Sequence, residues 1–498
     1  MRTKKLKDID KKQRKKLAKE QKEIEKFRKK RRRARNREYR RVSYFFAAIF
    51  ISLAGYLIYF DAVESESFIN SPYNTRQDTF ADRVVRGSIV AAGGEVLAET
   101  QFDWEGEEYR NYPYGNMFAH VVGYDTHGKM GLESEGNFQL LTSHEFFLEQ
   151  MKNQLQGEKN MGDTLLTSLD VRLQSAAYYA LGDNRGAVVA MEPSTGRILA
   201  MVSKSDFNPN TLAQDWDYLI QDESNSSLLN RATLGQYPPG STFKIVTALD
   251  YFRERGSMEG FSYNCEGTIT REDYTLQCYD ATAHGQEDLH SAFADSCNCA
   301  FAQIGMDLGV DSLRSTAESL LFNKKLPLDT DYQISQFSLD RESKVPLIMQ
   351  TSIGQGDTLV SPMHMALITS AIANDGVMMK PSLIDGVNNA QGEEVSREKP
   401  ESVRRIMTAE EAEALKGLMT EVVDSGTAYA LGGRDYAVAG KTGSAEIDSE
   451  GNSHSWFVGF SGTENPDLAV SIIVEYGGTG SQSAVPIAAA LFDAYYYG

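Results

Sequence analysis

Two stretches decide the fold: "GAVVAMEPSTGRILAMVS" at Gly186–Ser203, and the closely spaced runs "AVAGKTGSAEI", "HSWFVGFSG" and "DLAVSIIVEYGG" between residues 437 and 478. The first is two apolar runs around Pro193-Ser194-Thr195-Gly196, which reads as a β-hairpin. The later three are strand-like runs joined by short polar turns, and a helix follows from about Ala484. Between the two blocks the chain reads mainly as helix, with loops at 205–240 and 255–285. Strands at both ends of a region with helices between them imply one antiparallel sheet assembled from the region's two termini, with helices on its faces. The fold class is therefore α+β.

Upstream, "TSLDVRLQSAAYYALG" from Thr167 carries a cap candidate in Asp170 and helical periodicity, marking the start of this larger domain. Residues from about 80 to 165 give short apolar runs broken by Gly and Asn, as expected of a small β-rich module. The 498-residue chain is long enough for two or three units plus tails. It shows no internal repeat of 20–50 residues.

Charge divides the chain sharply. The net charge is −18, yet residues 1–41 hold 22 Lys and Arg against 6 Asp and Glu, a balance of +16 that leaves −34 for residues 42–498. The boundary is "VSYFFAAIFISLAGYLIYF", Val42–Phe60, without a formal charge. As a helix it spans about 28 Å, close to a hydrocarbon core of ~30 Å. Tyr44, Tyr56 and Tyr59 stand near its ends, where amphipathic rings favour the interface. Arg40 and Arg41 precede it, so the positive-inside bias places residues 1–41 in the cytoplasm and the rest outside. A cleaved signal peptide is the competing reading. The basic and apolar segments are both too long for one, and "DAVESES" offers no convincing small-x-small cleavage site. The stretch 61–78 reads as a linker. The basic tail has almost no aromatic residues for base stacking, which argues against nucleic acid and for anionic lipid headgroups.

The four cysteines, Cys265, Cys278, Cys297 and Cys299, all fall on the outer side of this topology. There disulfides persist, and Cys265 and Cys278 close a loop short enough to pair. Cys297 and Cys299 are two apart in a helical stretch and face different ways. No Cys/His spacing resembles a zinc site, and the working assumption is a site without metal or cofactor.

Three short patterns carry chemistry. In "QYPPGSTFKIVTAL", Ser241 and Lys244 lie at i, i+3 beside the apolar face Phe243, Val246, Leu249 and Phe252. A lysine lowered in pKa by burial can activate a serine hydroxyl, and a helix start aims free N–H groups at developing negative charge. The four-letter pattern alone is weak. It recurs as "SREK" at 396–399, in a charged loop with no apolar helix behind it. In "HSAFADSCNCAFAQIG", Ser296 and Asn298 can bridge to a lysine and to a peptide backbone. Taken alone they read as buried polar groups satisfying local backbone, and "SYN" at 262–264 matches equally well. In "GKTGSAE", Lys441 on a strand rimming a cleft can attract a carboxylate, Gly443 permits close approach, and the Ser444 N–H can serve an oxyanion. The plain alternative is an exposed edge-strand lysine.

Together, S-x-x-K, S-x-N and K-T-G at 241, 296 and 441 resemble the motif trio of the penicillin-binding protein transpeptidases, and the resemblance runs from about residue 62 to 494. "RVVRGSIVAAGGEVLAET", "GAVVAMEPSTGRILAMVSKSDFNPN" and "TSIGQGDTLVSPMHMALITSAIANDGVMMKP" are similar to further family segments. About 100 residues separate the apolar segment from Thr167, too few for a glycosyltransferase domain, so the resemblance is to short class B members. It implies a β-lactamase/transpeptidase-like domain at 166–498, with a five-stranded antiparallel sheet, behind a pedestal module at 61–165. It also implies acylation of Ser241 by the D-Ala-D-Ala end of a peptidoglycan stem peptide, then transfer to an amine of a neighbouring stem. Lys244 would be the base, Ser296 and Asn298 would relay protons and hold the donor peptide, Lys441 and Thr442 would bind its carboxylate, and the N–H groups of Ser241 and Ser444 would form the oxyanion hole. β-Lactams would acylate Ser241, and a SEDS-type glycan polymerase would be the membrane partner. Two departures stand out: Ser444 where relatives carry Thr, and Ala91-Ala92-Gly93-Gly94 where they carry D-R-N-G. The rival readings are a membrane-anchored β-lactamase or β-lactam sensor, which shares the trio, and a non-catalytic cell-wall scaffold.

Overall fold

A computed structural model describes residues 2–60, 82–448 and 451–498. The expected linker at 61–78 lies outside the described residues. The chain divides into two units, Met1–Ser71 and Pro72–Gly498. The first is one helix, Arg2–Tyr59, in which the basic tail runs without a break into the apolar segment. Its sequence supplies many strong helix formers and no Pro. Among the described residues it is the one helix long and apolar enough to cross a membrane.

In the second unit the expected sheet is present. Its strand order is Val438–Glu446, Ser453–Ser461, Leu468–Val474, Gly186–Met191, Ile198–Lys204, antiparallel throughout. The C-terminal meander thus meets the N-terminal hairpin where Leu468–Val474 pairs with Gly186–Met191. Every residue of the two inner meander strands is buried, as a sheet covered on both faces requires. Helices Val171–Leu181, Pro362–Ala373 and Ala484–Tyr497 supply the cover, and Pro362–Ala373 has no exposed residue. Asp170 caps its helix as read from the sequence, accepting from the N–H groups of Arg172 and Leu173.

The regions read as loops hold more structure than their composition suggests. Leu212–Leu219 is a short helix within 205–240. Residues 255–285 contain the hairpin Thr268–Arg271/Tyr274–Gln277 and a ladder joining Tyr263–Cys265 to Gly285–Glu287. These strands are three or four residues long, too short for a local period to announce them.

The smaller, β-rich module is built into the larger one. A six-stranded mixed sheet runs in the order Glu394–Arg397, Ile384–Asn388, Thr164–Thr167, Ile89–Val90, Val96–Phe102, Glu108–Asn111. Its two outermost strands on one side come from beyond residue 380. In the module itself, Glu133 is fully buried between two guanidiniums, 2.6 Å from Arg86 and 2.7 Å from Arg110. Burial pushes its carboxyl up, but the two cations outweigh that and hold it below the usual range.

Candidate active site

The turn Gly240–Phe243 is 3-10 and runs directly into helix Lys244–Arg255. Ser241 sits inside that turn and caps nothing. Three contacts fix its position. The Trp456 indole donates to Pro238 O at 3.0 Å, the Gly240 N–H donates to Gly354 O at 2.8 Å, and Thr242 Oγ1 donates to Pro239 O at 2.7 Å. Gly240 has φ +54°, and a Cβ there would stand 2.8 Å from Ser444 O. The room it leaves is therefore filled by the Ser444 backbone. That brings the strand Val438–Glu446 against the start of the Ser241 helix.

Lys244 is fully buried and makes no hydrogen bond to Ser241. Its Nζ donates to Ser296 O at 2.6 Å, Ser296 Oγ at 3.1 Å and Asn298 Oδ1 at 2.8 Å. Three acceptors match the three donors of an ammonium. The Phe301 ring centroid lies 5.4 Å from the same Nζ. Burial lowers the Lys244 pKa to about 8, close enough to neutrality for a base at physiological pH.

Ser296 makes this geometry possible. It holds φ +57°, a left-handed conformation unusual for a residue with a Cβ. It forms the turn between helices Leu289–Ala294 and Asn298–Leu308, so its carbonyl and hydroxyl both face Lys244. Its Oγ also accepts from Lys441 Nζ at 2.9 Å. Lys441 was expected at the cleft rim; instead it is fully buried, 5.5 Å from the Phe293 ring centroid, and also donates to Thr442 O at 3.1 Å. Burial, with Lys244 as a second cation, pushes its pKa well below the ordinary value. The pleat of its strand turns Lys441 inward.

A cleft of about 830 Å³ opens over these groups, and Ser241, Ser296, Asn298, Thr442, Gly443 and Ser444 all line it. Gly443 serves packing as much as access, because a Cβ there would meet Thr242 Cγ2 and Trp456 Cβ at 3.0 Å. Thr427, which no sequence pattern indicated, lines the same cleft and shares a 2.5 Å hydrogen bond with the Thr442 hydroxyl. Gln355 was also missed; its amide donates to Ser444 O at 3.4 Å. The second "S-x-x-K", at 396–399, lies in an exposed strand and linker away from the cleft. The Cys265 and Cys278 sulfurs lie 3.7 Å apart as separate thiols, without a bond between them.

Comparison with known proteins converges on the same region. Residues 186–493 match the family described as penicillin binding protein transpeptidase domain, and residues 86–165 match penicillin binding protein A dimerisation domain. The peptidoglycan D,D-transpeptidase PbpA of Mycolicibacterium smegmatis is 32% identical over 441 residues, covering 82% of this chain and 88% of the relative. The ceftriaxone acyl-enzyme complex of penicillin-binding protein A from M. tuberculosis superposes with a TM-score of 0.76 at 30% identity, covering 84% of this chain and all of that one. The D,D-transpeptidase domain of a peptidoglycan glycosyltransferase from Eggerthella lenta gives 0.75, also at 30% identity, over 83% of this chain and 98% of its own.

Proposed function

The chain belongs to the penicillin-binding protein transpeptidase family, and on that premise we propose that it is a serine D,D-transpeptidase that cross-links peptidoglycan stem peptides through an acyl-enzyme on Ser241. The observation that carries this reading is the convergence on Ser296: Lys244 and Lys441 both hydrogen-bond its hydroxyl, beside the cleft that Ser241 lines.

In the proposed reaction the neutral fraction of Lys244 takes the Ser241 proton as Oγ attacks the carbonyl of the penultimate D-Ala. A lysine with pKa about 8 has a useful neutral population at pH 7.5 without being a weak base. The N–H groups of Ser241 and Ser444 receive the oxyanion. Ser296 Oγ, bridging the two lysines, passes its proton to the leaving D-Ala amine and is reprotonated by Lys244, so the C–N bond breaks without an amide anion and Lys244 is neutral again. The acceptor amine then attacks the ester, its proton returns through Lys244, and Ser241 leaves as the alcohol. The Thr442 hydroxyl, oriented by Thr427, contacts the substrate carboxylate, and buried Lys441 acts from behind through Ser296. Asn298 holds Lys244 and the donor peptide. β-Lactams acylate the same serine.

The apolar segment of helix Arg2–Tyr59 anchors the protein in the membrane. The basic excess in residues 1–41 supports a cytoplasmic N-terminus and an outer catalytic domain. A SEDS-type glycan polymerase is the proposed partner. Phe146, Phe147, Leu148 and Leu155, each more than 60% exposed on the small module, offer an apolar face for such a contact. The reaction is tested by incubating the detergent-solubilised chain with a stem pentapeptide ending in D-Ala-D-Ala and following D-Ala release. Release by the wild type and none by Ser241→Ala is expected; equal release by both would refute the assignment.

A further inference from the structure

The four cysteines meet behind the S-x-N turn. Cys278 Sγ lies 3.7 Å from Cys265 Sγ and 3.8 Å from Cys297 Sγ, and Cys265 Sγ lies 3.5 Å from His284 Nδ1. All four ligand atoms fall within 4.8 Å of one another. Thiolates at ~2.3 Å from a tetrahedral zinc have S–S edges of about 3.8 Å, so the observed separations already match a coordination polyhedron. Three of the four side chains are buried and His284 is half-buried.

We propose that Cys265, Cys278, His284 and Cys297 bind one zinc ion, and that the ion braces the Ser296–Asn298 turn of the active site. The surroundings are those of a thiolate site. Backbone N–H groups of Gly267 and Ala300 each point at a sulfur, Cys265 and Cys297 respectively, at 3.4 Å. Each ligand comes from a different short element: the strand Tyr263–Cys265, the end of Tyr274–Gln277, the residue before Gly285–Glu287, and the cap of helix Asn298–Leu308. Strands of three and four residues bury little apolar area of their own, and a four-coordinate ion joins all of them at one point. Cys297 stands between Ser296 and Asn298, and the Asn298 amide donates to Gln277 O at 3.0 Å. Fixing Cys297 and Cys278 therefore fixes the left-handed Ser296 and one wall of the cleft. Zinc is preferred over harder cations by its sulfur-rich donor set. Binding displaces the thiol protons to solvent and changes no oxidation state. Cys299, whose sulfur is 3.5 Å from Cys278 Sγ, remains a fifth, non-coordinating neighbour.

The test uses the full chain in detergent, purified without chelator, with metal content read by mass spectrometry. About one zinc per chain is expected in the wild type and in Cys299→Ser, and a large loss in His284→Ala and Cys278→Ser. Because those variants risk misfolding, the wild type is also measured after zinc removal with a strong chelator. Its melting temperature and its rate of acylation by penicillin should both fall and recover with zinc but not magnesium. Cobalt(II) reconstitution should give the intense absorption of tetrahedral thiolate ligation. A zinc-free wild type whose melting ignores both chelator and added zinc would overturn the proposal. So would a Cys265–Cys278 disulfide in the native chain.

Discussion

Lys441 Nζ donates to Ser296 Oγ at 2.9 Å across 145 residues of sequence, and Lys244 Nζ donates to the same oxygen at 3.1 Å. The first bond joins the K-T-G strand to the S-x-N turn and makes one hydroxyl the shared neighbour of two buried amines.

Removing that hydroxyl tests its role as a proton relay. Ser296→Ala should slow acylation by penicillin roughly 10²–10⁴-fold, the range for loss of positioned proton transfer. Ser296→Gly should slow it as much while relieving the strain of φ +57°. Stopped-flow acylation and thermal melting on both variants separate the two effects. An active Ser296→Gly would show that the turn matters and the hydroxyl does not.

The pH dependence follows from Lys244. With its pKa lowered to about 8 by burial, acylation should rise with pH through a midpoint near 8 and level off above it, up to the limit of alkaline stability. The linkage has a definite sign. A lysine whose folded pKa lies below its unfolded value near 10.5 binds fewer protons when folded between those values, so its burial costs stability fully below pH 8 and the cost fades as pH rises toward 10.5. Its neighbours in that pocket are the thiols of Cys278, Cys297 and Cys299, with Lys441 beyond Ser296. The check is a pH profile of second-order acylation, and a flat profile from pH 6 to 9 would contradict the assignment of Lys244 as base.

Gly240 sets the distance between nucleophile and oxyanion strand. Gly240→Ala forces a Cβ to 2.8 Å from Ser444 O at φ +54°, a strain of about 1–3 kcal/mol. Melting should fall accordingly, and acylation should drop at least tenfold as Ser444 moves away. Unchanged acylation would show that the strand position is not catalytic.

In the small module, Glu133→Gln leaves Arg86 and Arg110 as buried cations without their shared counter-ion, which should cost about 3–5 kcal/mol. In the wild type the same carboxylate, held below its ordinary pKa, contributes stability that is present above pH 4.5 and lost as pH falls further. Melting curves of wild type and variant should therefore converge in acid. If the gap persisted there, the ion pair would not be its source.

What was legible in the sequence was local. The hairpin at 186–203 and the three C-terminal runs are apolar runs bounded by turn signals, so the central sheet could be read directly. The three motifs marked the residues lining the cleft. Thr427 had no motif, because its value lies only in facing Thr442 across a fold. The inward turn of Lys441 and the sharing of one sheet by Thr164–Thr167 and Ile384–Asn388 are likewise properties of long-range register. The cysteine cluster escaped notice because its ligands sit 13, 6 and 13 residues apart on short paired strands. That spacing has no close pair, and the strands that fold it together are themselves invisible to periodicity.

The central claim, that Ser241 is the acylated nucleophile, is tested most directly by intact-protein mass spectrometry after incubation with penicillin, with peptide mapping of the adduct. The account predicts one stable penicilloyl group, carried by the peptide that contains Ser241 and absent from Ser241→Ala. An adduct on another residue, or one that is rapidly hydrolysed back to free enzyme, would contradict it.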